Sequence, residues 1–209
     1  MGILAEVFAA GPVIPVLAFQ SEEEAVATSR TLYEAGMRVF EITLRHPTAL
    51  AQIKAVIDDL PNDAMVGVGT VMNPSLAAAA FDTGAVFGVS PGLTDALADK
   101  VIDMKWGFLP GVATLSEAMS AVNRGFSNLK FFPAEASGGA AFLKAAGAVL
   151  ADTNFCPTGG VTPDNAGDYL ALSHVPVVGG SWIVKRGADG AVDHDATAKA
   201  ALGALQTKS

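Results

Sequence analysis

The chain is short of charge, of cysteine and of long apolar runs. Charged residues fill 16% of its 209 positions, against roughly 25% in an average globular domain. Lysine and arginine number 13 and acidic residues 21, a net charge of −8. The basic residues form no cluster, so nucleic acid and anionic membrane are poor partners. An anionic ligand would have to be held by a few local cations and by backbone N–H groups. No apolar run approaches the roughly 18 residues that span a bilayer. The opening "MGILAEVFAAGP" has no basic n-region, carries Glu6 and soon meets Pro12. It reads as a short helix before the first strand rather than as a secretory signal. The single cysteine, Cys156, excludes an internal disulfide and suits a reducing compartment. By type it reads as a small apolar strand residue. His46, His174 and His194 have no ligand spacing with one another or with Cys156, so no metal site is expected. No strand is followed by GxGxxG or by a Walker lysine motif, and no cofactor is expected.

What the chain has is apolar residues, 51% of the total, and a rhythm. Short apolar runs start at Val13, Val39, Met65, Val86, Gly107, Asn128, Asn154 and Val175, spaced 21 to 26 residues apart. That spacing is the length of a βα unit. Helix-like segments lie between them. In "SEEEAVATSRTLYEAG", Ser21 and Glu24 form a capping-box pattern and Gly36 a stop. "NPSLAAAAFDTG" and "TPDNAGDYLAL" set Pro near a helix start. Eight such units predict a (β/α)8 barrel, with residues 1–209 as a single domain. An open doubly wound sheet is the rival fold.

In a barrel, chemistry belongs at the C-terminal ends of the strands, and side chains alternate between the interior and the helix layer. In the second run, Phe40, Ile42 and Leu44 would face the helices, and Glu41, Thr43 and Arg45 the interior. In "NLKFFPAE", Leu129 and Phe131 would face out and Lys130 and Phe132 in. Two readings of the inward Lys130 stand side by side. One is an amine that pairs with Glu41 or snorkels to the mouth. The other is a nucleophile whose ammonium form is disfavoured by burial and by the Arg45 guanidinium. Thr70 ends the third run, and Pro91 could wall the pocket after the fourth. Gly159 and Gly160 follow the seventh run, and Gly180 and Ser181 follow the eighth, where many barrels bind phosphate. His46, next to Arg45, reads as a turn histidine.

"GPVIPVL", "EITLR", "GVGTV", "VSPGLT", "FLPGVAT", "LKFFPAE", "FCPTGGV" and "GGSW" occur in the order found in 2-keto-3-deoxy-6-phosphogluconate (KDPG) aldolases. The chain resembles that family over roughly residues 10 to 185. The resemblance implies a class I, metal-independent aldolase that yields pyruvate and glyceraldehyde 3-phosphate. It also implies a homotrimer working in the cytoplasm in the Entner–Doudoroff pathway. Related members act on 4-hydroxy-2-oxoglutarate or on the 6-phosphogalactonate analogue. On the matching motifs, Lys130 resembles the Schiff-base lysine and Glu41 the general acid/base. Arg45 and Thr70 resemble the carboxylate-holding groups, and Pro91 and Phe132 the pocket walls. Gly159, Gly160, Gly180 and Ser181 resemble the phosphate end. A non-catalytic barrel that binds a phosphosugar is the rival reading from another class.

Overall fold

A computed structural model of the chain describes residues 2–207. The chain opens with α1 (Ile3–Ala9) and then alternates. β1 (Val13–Leu17) leads to α2 (Glu22–Glu34), β2 (Val39–Thr43) to α3 (Ala49–Asp59) and β3 (Met65–Gly69) to α4 (Pro74–Phe81). β4 (Phe87–Val89) leads to α5 (Asp95–Asp103), then β5 (Gly107–Leu109) and β6 (Gly111–Val112) to α6 (Leu115–Asn123). β7 (Asn128–Phe131) is followed by a 3-10 turn (Glu135–Ser137) and α7 (Gly139–Gly147). β8 (Asn154–Pro157), α8 (Ala166–Leu170), β9 (Val178–Gly180) and α9 (His194–Leu205) complete the series.

Capping chemistry sets the helix starts. Ser21, Asn73, Thr94, Thr114 and Asp193 each accept a backbone N–H of the first turn, satisfying donors that a helix leaves unpaired. The reciprocal capping box is made at Thr114 and Glu117. At Ser21 only half of the expected box forms. The Glu24 carboxylate accepts from the Gln20 N–H at 3.3 Å and pairs with Arg186 instead. Gly36 ends α2 as expected, at φ +103°, a conformation that suits glycine. α8 is shorter than "TPDNAGDYLAL" predicts, because Thr162 to Asn165 form a turn closed by a Thr162 N–H to Asn165 Oδ1 bond of 2.8 Å.

The strands pair in parallel in the order β5-β4-β3-β2-β1-β9 and, separately, β6-β7-β8. Two links close the ring. β5 and β6 are one extended run interrupted at Pro110, which has no N–H for a ladder, while its carbonyl still accepts from Lys130 at 2.9 Å. A parallel bridge between Thr158 and Gly179 joins β8 to β9. The fifth apolar run is therefore two strands, and the fold is the expected (β/α)8 barrel.

Alternation along the strands sorts the core into two layers. Phe40, Ile42, Leu129, Phe131 and Phe155 pack outward with Leu32, Ile53, Val56 and Leu143 of the helices. Ile14, Val39, Phe87, Val89, Leu109, Cys156 and Val177 pack inward. Val7 and Phe8 of α1 join that inner cluster, so the first helix plugs the barrel and places apolar weight away from the mouth. A Cβ on Gly67 would fall 2.2 Å from the Phe87 ring, which fills the space a side chain on β3 would take. No helix among the described residues is long and apolar enough to cross a membrane.

Candidate active site

Lys130 on β7 and Glu41 on β2 meet inside the barrel. Lys130 Nζ lies 3.0 Å from Glu41 Oε1, and the residues are only 6% and 3% exposed. These strands are not neighbours, so the contact crosses the barrel rather than running along a ladder. Gly69, at the end of β3, makes room for it. A Cβ there would lie 2.3 Å from Glu41 Oε1 and 2.8 Å from its Cγ. Lys130 Nζ also sits 5.5 Å from the centre of the Phe132 ring, within range of cation–π attraction. Cys156 is the β8 partner of Lys130 in the strand register. Burial is the main cause that pushes its thiol up from 9.0 to about 12, so it adds a neutral surface beside the pair.

Other expected groups surround the mouth. Thr43 is buried, and its hydroxyl donates to the Leu17 carbonyl at 2.8 Å, a structural bond to the adjacent strand. Arg45 does not share the interior with Glu41 and Lys130. β2 ends at Thr43, so strand alternation stops there, and Arg45 stands exposed in the following turn. No hydrogen bond or ion pair among the described residues ties it to either partner, and the cation expected beside Lys130 is not packed against it. Thr70 follows β3 at φ +64°. A β-branched residue in the left-handed region is strained, and such strain concentrates at ligand clamps. Pro91 and Phe132 both line a cleft of about 570 Å³ that opens beside the mouth toward α5 and α6. His46 is a turn histidine. Its Nδ1 lies 2.9 Å from Thr48 Oγ1 at the start of α3.

The two glycine pairs behave differently. Gly159 and Gly160 both have positive φ, +95° and +81°, and successive N–H groups in such turns form concave anion sites. The Thr158–Gly179 bridge turns the Gly159 N–H toward the Gly179 carbonyl, while the N–H groups of Gly160 and Ser181 have no acceptor among the described residues. Gly180 is buried, with the Trp182 ring over its Cα; a Cβ would lie 2.4 Å from that ring. Ser181 is exposed just past β9. Sequence reasoning missed the supports of this mouth, namely Gly69, Cys156, Glu135, Asn165 and Tyr169. Among them, Gly69 alone had a legible signal, its place on the inward face of β3, where its register partner is Thr43. Among the described residues, no three His, Cys, Asp or Glu side chains gather as metal ligands.

Fold and site together define a barrel enzyme with an amine, a carboxylate and a glycine-lined turn gathered at one mouth. Residues 4–199 match the family described as "Aldolase: KDPG and KHG aldolase", and the chain belongs to that family. It is 42% identical over 196 residues to the KHG/KDPG aldolase of Escherichia coli K12, covering 94% of this chain and 92% of the relative. The crystal structure of the KDPG aldolase of Zymomonas mobilis ZM4 with 3-phosphoglycerate superposes with a TM-score of 0.92 at 38% identity, covering 98% of this chain and 96% of the other. A KDPG aldolase from Legionella pneumophila, with pyruvate captured as a covalent carbinolamine, gives 0.92 at 37%, covering 96% and 97%.

Proposed function

We propose that this chain is a class I aldolase that cleaves 2-keto-3-deoxy-6-phosphogluconate to pyruvate and glyceraldehyde 3-phosphate. The observation that carries the reading is the buried Lys130 Nζ to Glu41 Oε1 contact of 3.0 Å. A proton passed along that bond leaves a neutral amine, the nucleophilic form, and a carboxylic acid. The amine adds to the C2 ketone to give a carbinolamine. Glu41 returns the proton to its oxygen, and water leaves to form an iminium. The Glu41 carboxylate, directly or through one water, then takes the C4 hydroxyl proton. The C3–C4 bond breaks, its electron pair moves into the iminium, and glyceraldehyde 3-phosphate departs. Protonation of the enamine at C3 and hydrolysis of the second iminium release pyruvate and restore Lys130.

Thr70 and Arg45 are assigned to the substrate carboxylate, Pro91 and Phe132 to the walls. Gly159, Gly160, Gly180 and Ser181 are assigned to the phosphate. The exposed position of Arg45 in the turn after β2 suits a group that meets the ligand at the mouth. The unpaired N–H groups at Gly160 and Ser181 support the phosphate end. The same reading includes a cytoplasmic homotrimer, whose size light scattering would measure.

The deciding experiment is borohydride reduction in the presence of pyruvate, followed by peptide mapping. A stable mass gain on Lys130 is expected; absence of any adduct would favour a non-catalytic phosphosugar-binding barrel. The Escherichia coli relative is named for both substrates, so 4-hydroxy-2-oxoglutarate is the second substrate to assay. Parallel assays on the galactonate-series epimer resolve the preference at C4.

A further inference from the structure

The Thr158-Gly159-Gly160 turn is held from behind. The Ala134 N–H donates to the Thr158 carbonyl at 2.8 Å, and the Glu135 N–H to the Gly159 carbonyl at 3.1 Å. Asn165 Nδ2 donates to the Gly160 carbonyl at 3.2 Å. The Asn165 amide is oriented by its own Oδ1, which accepts from the Thr162 N–H at 2.8 Å. Thus all three carbonyls of the turn are engaged, while the Gly160 N–H finds no acceptor among the described residues.

Glu135 is itself fixed. A Cβ on Gly160 would lie 2.6 Å from Glu135 Cβ and Cγ, so the glutamate stem rests on the turn with nothing between them. Its Oε1 accepts from the Tyr169 hydroxyl. The Tyr169 residue is 1% exposed, on α8. Burial first, and then the bond to Glu135, hold that phenol well above its ordinary 10.0, so it remains a donor at any working pH. The 3-10 turn and α8 therefore grip the glycine turn from its two flanks.

We infer that Tyr169, Glu135 and Asn165 are positioning residues. They hold the Thr158–Gly160 turn with the Gly160 N–H turned outward, and so set a preference for phosphorylated over unphosphorylated 2-keto acids. This rests on the phosphate assignment of the preceding section. None of the three need touch the substrate: each acts through the backbone of the turn. Loosening the turn weakens the hold on a phosphate, and leaves the Lys130 and Glu41 chemistry on the shared keto-acid end untouched.

Tyr169→Phe tests this without changing charge. Its kcat/KM for the phosphorylated substrate is expected to fall roughly five- to tenfold, the worth of about one hydrogen bond, with the change in KM. For 4-hydroxy-2-oxoglutarate, kcat/KM should stay within about twofold, since that substrate has no phosphate to lose. Asn165→Ala should give the same split, and serves if Tyr169→Phe does not fold. Glu135→Ala should also give it, while Glu135→Gln, which keeps an acceptor for the phenol, should retain the wild-type preference. Equal losses on both substrates, or none on either, overturn the positioning roles. A wild-type enzyme with no preference for the phosphate overturns instead the phosphate assignment beneath them.

Discussion

Gly69→Ala should disable the enzyme without touching a reacting group. The glycine lies in β3 with a strand conformation that alanine adopts freely, so the cost is steric. The new Cβ would stand 2.3 Å from Glu41 Oε1, 2.8 Å from Cγ and 2.9 Å from Cδ. Restoring van der Waals contact requires the carboxylate to retreat by about 1 Å. That stretches its 3.0 Å contact with Lys130 to about 4 Å, beyond hydrogen-bond range. Misplacement of a catalytic group by that distance costs on the order of 10²-fold in rate. Overpacking of this kind destabilises by about 1–3 kcal/mol. The assay follows pyruvate through lactate dehydrogenase and NADH absorbance, with urea unfolding run alongside. Lys130 is intact in this variant, so borohydride trapping should persist, only more slowly. Glu41→Gln should slow turnover by roughly 10²- to 10⁴-fold. Adding Gly69→Ala to it should cost little more, because both act on one group. A Gly69→Ala enzyme with wild-type kcat would refute the claim that this carboxylate must sit where it does. Full additivity with Glu41→Gln would show that Gly69 acts elsewhere.

Two further outcomes test the interior. Lys130→Met should abolish both turnover and trapping, and leave Glu41 buried without its partner at a cost of about 3–5 kcal/mol; Glu41→Gln in the same chain should recover most of that stability in urea titrations. Cys156 sets a pH dependence. In the folded state its proton is retained up to about pH 12, whereas the unfolded thiol releases it near 9.0. Above pH 9 the unfolded state therefore binds fewer protons, and stability falls as pH rises toward 12. The contribution is fully present below pH 9. Its loss by pH 10 is on the order of 1 kcal/mol. Subtracting the same titration of Cys156→Ala isolates it; a difference that is flat from pH 8 to 10 would mean the thiol is not buried as described.

Much of the fold was legible because the barrel strands are buried on both faces and so read as continuous apolar runs. The cap at Ser21, the helix start at "NPS" and the stop at Gly36 were equally local signals. Failures came where a local pattern met a tertiary partner. Pro110 looked like part of a run, yet its missing N–H splits that run into β5 and β6. Glu24 matched a capping box, yet Arg186, far along the chain, draws its carboxylate away. Asn165 lay within an expected helix, but its side chain is engaged with Thr162 and Gly160, and α8 starts after it.

The site divides along the same line. Alternation along a strand put Lys130 and Glu41 on inward faces, and that inference needs only period two. It failed at Arg45, two residues past the end of β2, because period two holds only while the strand lasts. What no pattern could supply is the distance between β2 and β7, which do not pair. That distance depends on closure of the ring and on what is absent from Gly69. Glycine in this chain marks three physical demands that look alike in sequence. At Gly69 it yields volume to a carboxylate, at Gly67 to an aromatic ring, and at Gly159 and Gly160 it permits the positive φ that shapes the turn and points the Gly160 N–H outward. Substitution separates them. Alanine at Gly69 should act on rate through Glu41, alanine at Gly67 on stability through Phe87, and alanine at Gly160 on the phosphorylated substrate through Glu135 and the turn.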